Sequence, residues 1–92
     1  MIRLIQITKS NNSYRLQDIY LNPKHIVYMS ESVKERQELL EGRINLNLDK
    51  NAVFTKIKIA ESSDVFDIVV VGEPAQIENK IFKSSSRSLL KG

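Results

Sequence analysis

The sequence predicts an α+β domain: a small, mainly antiparallel β-sheet of five to six strands with a C-terminal helix, and with a short helix as one reading of the insertion at residues 30–42. Three observations predict it. Apolar residues recur with period two along most of the chain, the spacing of a strand. Clusters such as Lys9–Ser13 (KSNNS) and Asp49–Ala52 (DKNA) interrupt those runs with turn-forming residues. The period lengthens toward that of a helix only in Ser30–Gly42 and after Gly72.

Taken in order, Ile2–Thr8 is apolar on both parities, with Ile2 and Leu4 on one and Ile5 and Ile7 on the other, as in a strand covered on both faces. Tyr14–Leu21 is the next strand. Its phase changes midway, from Tyr14 and Leu16 to Ile19 and Leu21, and a bulge near Gln17–Asp18 is expected to reconcile the two halves. The stretch YLNPKHIVY then holds a turn between apolar runs. Asn22 can bond the backbone two residues on, and Pro23 presets φ for a turn and keeps Asn22 extended. Ile26–Met29 resumes as a strand, so Asn22–His25 reads as a corner between two strand pieces.

In Ser30–Gly42, Ser32 and Glu35 match the S-x-x-E capping box, and Gly42 suits the left-handed residue that ends a helix. A helix of about two turns is expected; the alternative is a mobile charged hairpin loop. Arg43–Asp49 (RINLNLD) alternates strictly, with Ile44, Leu46 and Leu48 in phase. Val53–Glu61 does the same through Val53, Thr55, Ile57 and Ile59, with Lys56 and Lys58 outside. Two alternating strands joined by the polar turn at Asp49–Ala52 read as an antiparallel hairpin with one wet face. Phe66–Val71, apolar on both parities, is expected to be central. Pro74 suits the first position of the closing helix, Ile77 and Ile81 make its apolar stripe, and Lys80 and Lys83 lie toward the end expected for it. Residues 1–83 therefore read as one domain and 84–92 as a basic flexible tail.

The 92 residues carry a net charge of +3. Lys80, Lys83, Arg87 and Lys91 stand in a stretch without acids, which leaves 10 basic and 11 acidic groups in residues 1–79. The basic character thus resides at the C-terminal end, and the body of the domain is not expected to be a nucleic-acid binder. With no cysteine there is no disulfide and no thiolate metal site, which suits a cytoplasmic or virion setting. No apolar run is long enough to span a membrane. A chain this short gains little from its own core, and association with other copies is a common support.

The residues of catalysis are sparse. His25 is the only histidine and sits in no recognisable acid–base or nucleophile motif; a turn residue is the stronger reading. One histidine without cysteine does not make a zinc site. No serine stands in a G-x-S-x-G elbow. Gly42, Gly72 and Gly92 are isolated, so no glycine-rich phosphate cradle is available, and Glu73 would repel an anion from the helix that begins at Pro74. Asp64, Asp67 and Glu61 read as turn and edge residues, and Glu31, Glu35, Glu38 and Glu41, interleaved with Lys34 and Arg36, as a solvated helix face. No enzyme activity, cofactor, metal or small-molecule substrate is expected.

IYLNPKHIVYM and DIVVVGEPAQIENKI together resemble two elements of the small FlbD-type flagellar and swarming-motility proteins and of similar small phage and bacterial β-rich proteins. These carry I-x-L-N-P-x-x-I, a hairpin, and a strand running into V-x-E-S-P-E-E-I. Gly72-Glu73-Pro74 stands where that family has Glu-Ser-Pro, and the Ser30–Gly42 insertion is longer. The resemblance implies a small non-enzymatic β-rich fold.

The expected function is a non-catalytic protein-interaction or structural module that self-associates through sheet edges or an uncovered apolar face, as a phage virion component or bacterial accessory factor. The alternative is a small nucleic-acid-binding regulator that uses the basic C-terminal end, with Lys56 and Lys58 in support. Val33, Leu39 and Leu40 are candidates for a docking patch, and Lys83, Arg87, Leu89, Leu90 and Lys91 for partner contacts. Tyr20, Tyr28, Ile57, Ile59, Ile77 and Ile81 are expected to pack. Asn22, Pro23, Gly72 and Pro74 are assigned to structural turns.

Overall fold

Two consecutive asparagines begin the sheet. In the computed structural model, which describes the backbone of residues 1–91 and the side chains of residues 1–84, Asn11 (φ 51°) and Asn12 (φ 63°) are both left-handed. That is the type I′ geometry, whose twist matches the strands it joins, and asparagine tolerates it better than most residues. The turn links β1 (Ile2–Ser10) to β2 (Ser13–Leu21). Their register is unbroken from Ser10↔Ser13 to Ile2↔Leu21. The expected bulge at Gln17–Asp18 is therefore absent: Gln6 faces Gln17 and Ile5 faces Asp18.

The remaining elements are β3 (Ile26–Glu31), α1 (Val33–Leu40), β4 (Phe54–Glu61), β5 (Asp64–Val71) and α2 (Pro74–Lys91). The strands form one five-stranded sheet in the order β2-β1-β5-β4-β3, with every neighbouring pair antiparallel. β5, apolar on both parities, is the middle strand. β4 and β5 are joined at Ser62-Ser63, and Ser62 (φ 55°) is left-handed.

The sheet has two cores on opposite faces, offset along the strands. On the inner face, Ile2, Leu4, Leu21, Ile57, Ile59 and Val70 pack with Ile77 of α2. On the outer face, Ile7, Tyr14 and Phe54 pack with Ile44 and with Leu39, Leu46 and Leu48 from α1 and the segment after it. This offset explains the phase change in β2 without a bulge. Tyr14 is buried on the outer face at one end of the strand, and Leu21 on the inner face at the other.

The expected strand at Arg43–Asp49, and with it a six-strand sheet and the hairpin with Val53–Glu61, is corrected: the segment is a loop, and β4 pairs with β3 and β5. Ile44, Leu46 and Leu48 do share a buried side, which is what their alternation encodes, but no ladder forms. The loop and the turn after it are held by other bonds. Arg36 Nη1 donates to the Lys50 carbonyl at 2.6 Å and to the Ala52 carbonyl at 2.9 Å, while Leu48 N–H donates to the Leu46 carbonyl at 2.8 Å. Asp49–Ala52 is a turn closed by Ala52 N–H on the Asp49 carbonyl (3.0 Å) and by Asn51 N–H on the Asp49 side chain (2.8 Å).

α1 begins at the N-cap Ser32, whose hydroxyl donates to the Glu35 carboxylate, both residues being buried. It ends in a Schellman motif: Gly42 (φ 77°) donates to the Leu39 carbonyl at 3.1 Å and Arg43 to the Glu38 carbonyl at 2.9 Å. α2 opens at Pro74, and Gln76 Oε1 reaches back to accept from Glu73 N–H at 3.2 Å, the reciprocal arm of a capping box. The helix bounds include most of the stretch read from the sequence as a tail. The side chains of Arg87, Leu89, Leu90 and Lys91 lie outside the described residues, as does Gly92.

Candidate interaction surface

The Asn22–His25 corner carries β2 out of one edge of the sheet and returns as β3 at the opposite edge. Asn22 is extended (φ −82°, ψ 115°), its side chain accepts from Lys24 N–H at 3.1 Å, and Pro23 starts a single 3₁₀ turn closed by His25 N–H on the Asn22 carbonyl at 3.0 Å. His25 is half-buried, and its ring makes no hydrogen bond among the described residues. The geometry is that of a corner whose backbone groups satisfy one another locally.

Gly72 is a second such position. Its φ of 120° lies outside the range open to residues with a Cβ, its N–H donates to the Val53 carbonyl at 2.7 Å, and its carbonyl accepts from the buried Thr55 hydroxyl at 2.8 Å. The candidate patch on α1 divides. Leu39 packs into the outer-face core, whereas Val33 and Leu40 remain exposed. The charged residues of α1 are also not simply solvated. Glu38 accepts from the Tyr14 hydroxyl, Arg36 holds the following loop, and Glu41 pairs with Arg43 at 3.3 Å.

α1 and the loop after it cover only part of the outer face. Ile5, Leu16, Tyr20, Tyr28 and Val65 stay exposed there. Tyr20, at 70% exposure, and Tyr28, at 50%, were expected to pack; the register instead sets them outward, opposite Arg3 and Lys58. Ile57, Ile59 and Ile77 are buried and Ile81 is partly buried, all on the inner face. Cations and aromatics alternate over the outer face: Lys9 Nζ lies 5.3 Å from the Tyr14 ring, Lys58 Nζ lies 5.6 Å from the Tyr28 ring, and Lys58 is 3.8 Å from Asp67.

Beside α2 runs a shallow basic trough. Two adjoining concavities of ≈ 380 and ≈ 410 Å³ share Lys80 and Lys83, add Arg3, and have no carboxylate in their lining. Lys80 Nζ donates to the Arg3 carbonyl at 3.1 Å, tying the helix to β1. Sequence spacing could not reveal this grouping, because Arg3 and Lys80 stand 77 residues apart. Arg87 and Lys91 continue the three- and four-residue spacing of Lys80 and Lys83 along the α2 backbone.

Among the described residues no group of three or more His, Cys, Asp or Glu is placed to hold a metal ion, and no helix is long and apolar enough to cross a membrane. No protein-family model, curated protein or solved structure matches the chain.

Proposed function

We propose that this protein is a non-catalytic interaction module that self-associates, as a phage virion component or a bacterial accessory factor, in the cytoplasm or the virion. The observation that carries the reading is the open edge of β2. It is nine residues long, unbroken in register, and lies beside an outer face with exposed Leu16 and Tyr20. Unpaired strand edges of this length invite another strand unless they are guarded. Self-association also supplies buried surface that so small a fold lacks by itself. The resemblance to small motility and phage proteins supports the setting. Light scattering tests the reading: a mass above that of one chain is expected, with and without residues 84–92, and a strict monomer with an intact fold counts against it.

A second reading, binding to nucleic acid, is favoured by one observation, the trough of Lys80 and Lys83, whose lining has no carboxylate and at whose rim Arg3 pairs with Asp18 at 3.2 Å. Phosphate contacts of this kind release counterions, so affinity falls steeply with salt. Fluorescence anisotropy with a labelled oligonucleotide is expected to show that salt dependence, and Lys83→Ala to lower the slope of log K against log salt by about 1. Binding that ignores both salt and the substitution removes this reading.

A further inference from the structure

We infer that two copies of this chain pair through β2, antiparallel about a two-fold axis at Gln17, so that two five-stranded sheets become one continuous sheet. The inference rests on the self-association reading and names its surface and geometry.

The argument begins with which backbone groups are free. Ser10 and Ser13 close a two-residue hairpin, so they exchange hydrogen bonds with each other, and antiparallel pairs alternate from there. Ser13, Arg15, Gln17, Ile19 and Leu21 therefore bond inward to β1. Tyr14, Leu16, Asp18 and Tyr20 turn their N–H and C=O groups outward, and no backbone bond outside the ladder engages them among the described residues. The two edges of the sheet differ. β3 is six residues long, has a register shift between Ile26 and Tyr28, and follows the Pro23 turn. Shortness, bulges and proline are devices that blunt an edge. β2 has no proline, no lysine and no bulge.

The sequence of β2 fits a copy of itself. With the axis at Gln17, Tyr14 faces the second copy's Tyr20 and Leu16 faces its Asp18 on the outer side. On the inner side Arg15 faces Ile19 and Ser13 faces Leu21. All four outward residues are paired and no like charges meet. Moving the axis to Asp18 would set two carboxylates opposite each other; moving it to Leu16 would leave Tyr20 facing Asn12 in the turn. Closed two-fold dimers are the commonest assemblies, and their interface must be self-complementary in this way.

Two sets of variants test the geometry, read by light scattering and sedimentation over a wide concentration range. Leu16→Asp and Leu16→Lys alter a residue that is 39% exposed in the single chain. Leu16→Asp sets a carboxylate against the second copy's Asp18 twice per dimer, and is expected to weaken association by about twofold to thirtyfold; Leu16→Lys is expected to strengthen it over a similar range. The chain has no cysteine. Gln17→Cys, at the axis, is therefore expected to give a disulfide-linked dimer under mild oxidation, while Arg15→Cys, displaced from its own counterpart along the strand, does not. Circular dichroism confirms that each variant folds. An unsubstituted chain that stays monomeric throughout overturns both this inference and self-association. An oligomer whose Gln17→Cys variant fails to cross-link, and which ignores both Leu16 substitutions, overturns the β2 axis alone and leaves association through β3 or the open face.

Discussion

Gly72 sets the direction in which α2 leaves the sheet. A Cβ at this position would stand 3.3 Å from Gln76 Oε1, and the φ of 120° is strained for any L side chain. Gly72→Ala is expected to cost about 1–2 kcal/mol, measured by denaturant unfolding. Ser62 presents the opposite case, a left-handed residue (φ 55°) with a side chain in a hairpin turn. Ser62→Gly is expected to stabilise by a few tenths to about 1 kcal/mol, read as a higher unfolding midpoint. At this scale the sequence is informative wherever a residue type has one conformational use: Asn22 and Pro23 at the corner, Ser32 and Glu35 at the start of a helix, Gly42 after it. Tyr20 and Tyr28 depart from the expected packing, because an aromatic on a strand suits either face until the register is known.

The α1 helix and the segment after it behave as one element. Arg36 bonds two carbonyls of that segment, and Ile44, Leu46 and Leu48 pack beneath it. Arg36→Met keeps the aliphatic stem and removes the donors; it is expected to cost about 1–2 kcal/mol and to speed hydrogen exchange across residues 43–53 while the sheet stays protected. This element also shows the limit of periodicity. Alternation in RINLNLD reports that one side is buried and says nothing about where backbone groups find partners. No strand pairs with this stretch, and Arg36 instead anchors the turn just beyond it, at the Lys50 and Ala52 carbonyls. The phase change in β2 needs no bulge for a related reason: periodicity assumes one core, and this sheet has two.

Those two cores share β1, β2, β4 and β5, since Ile2, Leu4, Leu21, Ile57, Ile59 and Val70 belong to one and Ile7, Tyr14, Phe54, Val69 and Val71 to the other. The molecule should therefore unfold as a unit. Phe54→Ala empties a fully buried site on the outer face. It is expected to cost about 3–5 kcal/mol and to shift one cooperative transition, with far-ultraviolet circular dichroism and tyrosine fluorescence still coincident. The open β2 edge and the basic trough were not legible in the sequence. Both depend on sheet order and helix placement, which bring residues from the two ends of the chain together.

The seam between β1 and β5, at Gln6↔Val70, joins the first strand to the last. On the ribosome this becomes a matter of timing. A nascent chain whose Val70 has not yet emerged holds β1 and β2 as a detached hairpin with its apolar sides wet, and that hairpin must wait for β5 before its inner edge is paired. Translation pauses before β5 has emerged would prolong that exposure.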